Sequence, residues 1–293
     1  RIKLGHDLTI DGTCRVAGTI LNQFAMDEKD GRLRVATNIR FSNISKDGNA
    51  ISSSNEQVNR VICLNKDMEI IGQSADMGIN ESIKSVRFMN DIAYVVTFRQ
   101  TDPLYAVDMT DPTNPTILSE LKIDGFSTYM QPFTDNLLLG IGFDANPKTG
   151  VQTGLKLTMF DTTDKANVFD ISSYILKWTD GNYSSSSATY NHKAVLISGD
   201  KNIIGIPLAI DSNTVIYNDG NAEVKYQFLN LYVFFEFDGE KLIETKRIEL
   251  PPSNNTEDVR GLYIGDYSYV VSNTGIICLS LDELTVVSEL TFK

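Results

Sequence analysis

The chain has 293 residues, 42% of them hydrophobic, and a formal net charge of −12. A chain this acidic is poorly suited to sequence-independent nucleic-acid binding, which depends on Lys and Arg neutralising phosphates; the charge is dispersed, as on a solvated acidic surface. No run of about 18 apolar residues is present to span a membrane, and Cys14, Cys63 and Cys278, far apart in apolar strand-like settings without a CxxC, read as free buried thiols.

Apolar residues recur with a period of 2 nearly everywhere, and no stretch sustains the i, i+3, i+4, i+7 spacing of a helix. Residues 1–18 read as a hairpin, with apolar strands at 2–4 and 8–10, a turn at Asp11-Gly12 and a return over 14–17. This is the outer half of a four-stranded unit that lacks its inner strands. The abrupt start in strand-like sequence at Arg1 is expected of a processed chain whose leader, if there is one, has been removed. A full unit follows at 21–75, with residues 41–57, rich in Ser and Asn, expected as an exposed loop.

The clearest unit is 81–123. Four strands, at 82–89, 93–99, 104–109 and 116–123, are separated by tight turns. Asn90-Asp91 tolerates left-handed backbone, and the two prolines of Asp111-Pro112-Thr113-Asn114-Pro115 cannot continue a central strand. Further units are expected at 126–176, 190–250 and 260–293. Residues 177–189 are expected as a polar connector containing Trp178, 192–197 as an inner strand, and 211–222 as a loop.

One local repeat supports a repeated architecture. Asp108-Met109-Thr110-Asp111 with Asn114 recurs as Asp161-Thr162-Thr163-Asp164 with Asn167. The Asp and Asn side chains are spaced to accept from nearby backbone N–H groups in Asx turns. About 40 residues per four-stranded antiparallel unit is the signature of a β-propeller blade. The expected fold is therefore all-β: a propeller of five blades plus an outer half-blade, with a sandwich as the structural alternative.

Three stretches carry a family resemblance: Leu21-Asn22-Gln23-Phe24-Ala25-Met26-Asp27-Glu28 with Leu33-Arg34-Val35-Ala36-Thr37; Ser85-Val86-Arg87-Phe88-Met89 through 93–104; and Leu138-Leu139-Gly140-Ile141-Gly142 with Gly154-Leu155-Lys156-Leu157. They resemble bacterial and archaeal secreted proteins with a C-terminal β-propeller domain, a family of unassigned function. The resemblance implies an extracellular or cell-surface protein and a chain forming the C-terminal part of a longer propeller. It implies no catalytic residues.

Inner strands of blades line a central channel, and the loops beside them form one common face. Arg87, Tyr129, Gln131, His192, Lys193 and Arg260 fall on or near expected inner strands; Arg99, Asp102, Asp144 and Asn146 fall at the ends of second strands. Arg87, Arg99, Asp102, Asp144, His192 and Arg260 are thereby expected to gather at a channel mouth and hold a polar ligand. Each also has an ordinary structural role open to it: Arg99 with Asp102 as a turn-bracing ion pair, His192 as a hydrogen-bonded structural histidine. Two histidines, His6 and His192, cannot make a multi-histidine metal site, and no GxSxG, GxGxxG, P-loop or EF-hand pattern is present. The sequence points to a non-enzymatic binding or scaffold module, with no cofactor and no metal, for a protein, peptide or glycan ligand. The alternative is a glycan or peptide hydrolase drawing carboxylates from Asp102, Asp144 or Glu236.

Overall fold

The structure, a computed structural model, describes residues 1–47, 50–98, 102–179, 182–218, 221–251 and 256–292; side chains are described outside 43–54, 102 and 214–223. Among the described residues, strands dominate and the only helical segments are single 3-10 turns. The pattern of burial follows the pattern of sequence. Thr116–Ile123 alternates exposed and half-buried residues, as an edge strand does, whereas Ile92–Phe98 is buried at nearly every position, as a central strand covered on both faces is.

The chain forms two compact units: residues 1–126 with 147–150 and 162–169, and residues 127–146, 151–161 and 170–293. In the first, β1 (Ile2–Lys3) and β2 (Thr9–Ile10) form a small exposed hairpin. The turn of this hairpin lies at residues 4–8 rather than at Asp11-Gly12 as the sequence pattern expects, and residues 14–17 are not a strand. Next come β3 (Met26–Lys29), β4 (Arg32–Asp47), β5 (Ala50–Leu64) and β6 (Ile70–Gln73), then β7 (Ser82–Met89), β8 (Ile92–Phe98), β9 (Asp102–Asp108) and β10 (Thr116–Ile123). Each set is one four-stranded antiparallel sheet in chain order. Ala36, Val61, Cys63, Val86, Val95, Tyr105 and Val107 belong to a core these two sheets share. Burial of this kind stabilises by roughly 25 cal/mol per Å² of apolar surface.

Polar groups reinforce that core. Arg34 is buried, its Nε donates to Asp27 at 2.9 Å and its Nη1 to the Asn90 carbonyl at 2.5 Å. Asn59, also buried, donates to the carbonyls of Met77, Gly78 and Glu81 at 3.1–3.2 Å and accepts from Asn38 at 2.8 Å. The repeated turn has the expected chemistry. Asp108 accepts from the Thr110 N–H at 2.8 Å, Asp111 from that of Thr113 at 2.9 Å, and Asp164 from that of Ala166 at 3.0 Å.

The second unit contains the sheet β11 (Phe126–Pro132), β12 (Leu137–Ala145), β13 (Gln152–Asp161) and β14 (Phe169–Lys177), whose first and last strands each begin one residue inside the other unit. It continues with β15 (Asn182–Ser185), β16 (Leu196–Ser198), β17 (Ile203–Asn218), β18 (Asn221–Phe237) and β19 (Leu242–Leu250). Here β15 and β16 share one edge: β16 pairs with the start of β17 and β15 with its middle. The last sheet is β20 (Arg260–Ile264), β21 (Tyr267–Val271), β22 (Gly275–Ser280) and β23 (Val286–Thr291). Its core with the preceding sheet contains Tyr232, Phe234, Ile248, Val259, Val270 and Leu279. Gly205 and Gly261 make room for the fully buried Tyr232 ring: a Cβ at Gly261 would lie 1.9 Å from the phenol oxygen. The opposite face of this last sheet carries Leu262, Ile264, Tyr267 and Leu290 in register, all substantially exposed.

Three sequence expectations are corrected. Residues 41–57 and 211–222 are not loops: the described parts of both continue strand pairing, so β4/β5 and β17/β18 are long hairpins with 15 cross-strand pairs each. His192–Ala194 is a 3-10 turn rather than the start of a strand, capped by the Asn191 side chain, which accepts from the Lys193 N–H at 3.2 Å. The connector after β14 contains β15 and a further 3-10 turn at Ser187–Thr189.

Candidate ligand-binding site

The six sequence candidates divide between the two units. In the first, Arg87 lies on β7 with its guanidinium carbon 4.3 Å from the centroid of the Phe24 ring, a cation–π contact. Asp102 opens β9, where its backbone pairs with Ile123, and Arg99 lies outside the described residues. In the second, Asp144 is buried near the end of β12 and accepts from the Thr153 hydroxyl at 2.7 Å, beside a register shift between Asp144 and Ala145. Half-buried His192 opens its 3-10 turn, not a strand. Arg260 opens β20 and donates through Nη1 to the carbonyls of Glu257 and Val259 at 2.6 and 2.7 Å. Of the neighbouring residues, Tyr129 donates to the Gln131 side chain at 2.8 Å, and Asn146 donates its N–H to the Val151 carbonyl. Arg87, Asp144 and Arg260 therefore each have a local structural task.

A different group of residues stands out in the second unit. Strand β18 alternates strictly at its outer end. Val224, Tyr226 and Phe228 point to one face, and Lys225 and Gln227 to the other. Inward, the same face continues through Asn230 to Tyr232 and Phe234, which are core. The outer residues are not: Tyr226 is 81% exposed and Phe228 48%.

Register places polar groups between these rings. Phe228 is opposite Asp211 on β17, and Asp211 is opposite Tyr183 on β15; Tyr226 is opposite Asn213. Directly paired residues share a face, so Tyr183, Asp211 and Phe228 form one rung and Asn213 and Tyr226 the next. With strands about 4.8 Å apart, the Tyr183 and Phe228 backbones are separated by roughly 10 Å, with the carboxylate between them.

Trp178 completes the row. Its ring stacks on Tyr183 with centroids 4.3 Å apart and planes 27° apart, and its edge is fixed by an Nε1–H donated to the Ser184 carbonyl at 2.9 Å. Phe143 supports it from 6.2 Å. These side chains, with Thr179, Asn182 and Ser212, line an open cleft of about 540 Å³. Among its described lining residues Asp211 is the one charged group. The arrangement offers aromatic faces for stacking, with a carboxylate and amide and hydroxyl groups alongside them as hydrogen-bonding partners.

Sequence reasoning named Trp178 but missed Tyr183, Asp211, Asn213, Tyr226 and Phe228. The available signal is the apolar alternation of Val224, Tyr226 and Phe228, which carries the strand back to the edge of segment 211–222, expected as a loop.

The thiols and titrating groups elsewhere are structural in character. Cys63 is buried as expected, and desolvation pushes its thiol up to about 11, whereas Cys14, expected to be buried, is exposed and Cys278 is only half-buried. Glu244, hydrogen-bonded to Arg247 at 2.5 and 2.9 Å and to the Tyr174 hydroxyl, is held below its ordinary value, first by the Arg247 hydrogen bonds. Among the described residues no group of three or more His, Cys, Asp or Glu side chains is placed to hold a metal ion, and no helix is long and apolar enough to cross a membrane.

Four-stranded antiparallel sheets repeated along the chain define a β-propeller, and comparison with known proteins agrees. Residues 2–284 match the β-propeller domain family, and the chain belongs to it. A protein of Archaeoglobus fulgidus is 31% identical over 271 residues, covering 92% of this chain and 35% of its own length. Another, of Methanocaldococcus jannaschii, is 32% identical over 285 residues, covering 95% and 38%. Both are described only as uncharacterized proteins, and this chain spans little more than a third of either. Among solved structures, BamB from Moraxella catarrhalis aligns with 96% of this chain and 91% of its own at 11% identity and a TM-score of 0.35.

Proposed function

We propose that this propeller chain is a non-enzymatic binding module that works at the cell surface or outside the cell, as one section of a longer propeller. The observation that carries the binding role is the row Trp178–Tyr183–Asp211–Phe228 with Tyr226, exposed throughout except for half-buried Trp178. An aromatic stripe that belongs to the core at Tyr232 is continued outward, where packing does not require it. Large aromatic side chains held on a rigid sheet lose little conformational entropy on contact, which suits them to recognition.

The longer propeller is supported by the lengths of the two archaeal relatives and by the apolar face of the last sheet. Apolar side chains such as Leu262, Ile264 and Leu290, gathered on one face, are the kind of surface a neighbouring blade covers. The export expected from the family resemblance supports the location.

The test uses the protein labelled at Cys14 with a fluorophore and incubated with intact cells and envelope fragments of the organism that makes it. Saturable retention by the wild type, lost in the double variant Tyr226→Ala/Phe228→Ala, is the expected result. Equal retention of both, or of neither, overturns the role of the cleft; chemical turnover of the retained material overturns the non-enzymatic assignment.

A further inference from the structure

The cleft also carries information about what it binds. Resting on the binding role proposed above, we infer that the Trp178–Tyr183–Asp211–Phe228–Tyr226 surface is a carbohydrate-binding site for a neutral oligosaccharide, in which two sugar rings stack on the aromatic side chains.

Three observations point to this class. The first is alternation of stacking and hydrogen-bonding groups. One rung presents Tyr183, Asp211 and Phe228, and the next presents Asn213 and Tyr226. A pyranose has an apolar face of axial C–H groups and a rim of equatorial hydroxyls. It meets an aromatic ring with its face and a carboxylate or amide with its rim. A purely apolar partner would leave Asp211 desolvated without a donor, which is costly.

The second observation is charge. Among the described lining residues none is basic: Asp211 is the only charge, and Lys225 is not among them. On a chain of net charge −12, an anionic ligand such as a sulfated or uronic-acid glycan is disfavoured. Hydroxyl groups, which donate to a carboxylate without carrying charge, are the complement.

The third is shape. The cleft is open and about 540 Å³ in volume, with its two stacking positions separated by two strand spacings, roughly 10 Å. That is an extended platform for the first and third rings of a chain segment, rather than an enclosed cage around one small head group. Trp178 is fixed at one end by its hydrogen bond to Ser184, so that platform is formed before the ligand arrives.

Trp178 is the sole tryptophan of the chain, so its emission reports on this cleft alone. Wild-type protein is titrated with maltotriose, cellotriose, mannotriose and N,N′,N″-triacetylchitotriose. A chondroitin sulfate disaccharide, choline chloride and N-acetyl-tyrosinamide serve as competitors of other chemistry. The expected result is a saturable emission change with at least one neutral trisaccharide, about millimolar or tighter, and none with the sulfated disaccharide. Tyr226→Ala and Asp211→Asn should each weaken that binding roughly tenfold, while leaving the thermal melt in place because both side chains are exposed.

Saturation-transfer NMR on the sugar protons provides a second reading that does not depend on Trp178. A response to choline or the tyrosine amide, with none to any neutral trisaccharide by either method, overturns the carbohydrate assignment and leaves the binding role standing. Saccharide binding unaffected by Tyr226→Ala and Asp211→Asn overturns the site. Loss of envelope retention in the double variant without a saccharide response separates a failed ligand class from a failed binding role.

Discussion

Two long hairpins, β4/β5 in the first unit and β17/β18 in the second, are built alike up to a point and then diverge. Each is anchored at its base by buried side chains: Val35, Ala36, Val61 and Ile62 in one, Ile204, Ile206, Tyr232 and Val233 in the other. Each extends outward beyond its neighbours and forms one side of an open cleft. The cleft of the first is lined by Arg40, Phe41, Ser42, Asn55, Glu56, Gln57 and Asn80, with a single aromatic ring among charged and amide groups. The cleft of the second has four. Backbone pairing alone extends both hairpins, so extension does not demand aromatic residues. Their gathering at one cleft, Tyr226 and Phe228 from the hairpin itself and Trp178 and Tyr183 from beside it, against one ring at the other is what the proposed binding role expects and folding does not require.

If the bases are core and the outer ends are not, the largest stability effects must come from the bases. Gly261→Ala places a methyl group against the phenol of the fully buried Tyr232, and Gly205→Ala places one 2.7 Å from its ring. Neither the ring nor the strand has room to move in a close-packed core. Each substitution should destabilise by about 3 kcal/mol, the upper part of the range for overpacking, read as a lower urea midpoint at unchanged slope. A cost below about 1 kcal/mol would mean that the base of β17/β18 is loosely packed, and the contrast between base and outer end would fail.

The base of the other hairpin should respond through a polar group. Asn59→Leu removes a buried amide, and with it one hydrogen bond at each of the Met77, Gly78 and Glu81 carbonyls and at the Asn38 amide, each of which keeps a second partner. The lost bonds are each worth roughly 0.5–1.5 kcal/mol net, so about 2 kcal/mol in all is expected. The loss should appear as faster amide exchange at Met77 and Gly78, since Asn59 holds that segment in place.

How much of this was legible in the sequence follows the same division between base and outer end. The sheets centred on 82–123 and 126–177 were readable because turn residues such as Asn90 and Pro112 punctuate clean alternation. The hairpin extensions were not, because Ser- and Asn-rich strands carry no hydrophobic period, and backbone pairing propagated from a buried base leaves no mark on composition. His192 was misread because Asn191 is placed to cap a turn, and one residue with a competing side chain outweighs the apolar run after it. The channel-mouth candidates came from strand ends, a positional rule indifferent to local contacts such as Arg87 with Phe24. The aromatic row needed the pairing of β15, β17 and β18, which brings Tyr183, Asp211 and Phe228 together across 45 residues of chain, and no local pattern encodes that register.

A smaller effect tests the side of the β17/β18 sheet away from the cleft. The depressed carboxyl of Glu244 contributes stability that is fully present above its unfolded value, about 4.3, and is lost as pH falls through the folded value. The pair with Arg247 is partly solvated, so only about 0.5 kcal/mol is expected. Glu244→Gln should be slightly less stable than wild type near neutrality, and the difference should close between about pH 5 and pH 3 in thermal melts. A difference that persists unchanged in acid would assign the role of Glu244 to packing rather than charge.

The smallest stability effect is the most informative about function. Phe41→Ala and Tyr226→Ala each remove an exposed ring from the outer part of a long hairpin, Phe41 at 40% and Tyr226 at 81% exposure. Surface substitutions away from special features change stability by less than about 0.5 kcal/mol, so both variants should melt within a degree or two of wild type. In binding they should part. Tyr226→Ala should weaken the Trp178-reported interaction roughly tenfold, and Phe41→Ala should leave it unchanged. Truncation of an exposed ring with no thermal penalty and a specific loss of affinity is what a side chain kept for recognition produces. If Tyr226→Ala instead lowers the melting point by several degrees with binding intact, the outer end of β18 is part of the packed structure after all, and the two hairpins differ in composition but not in role.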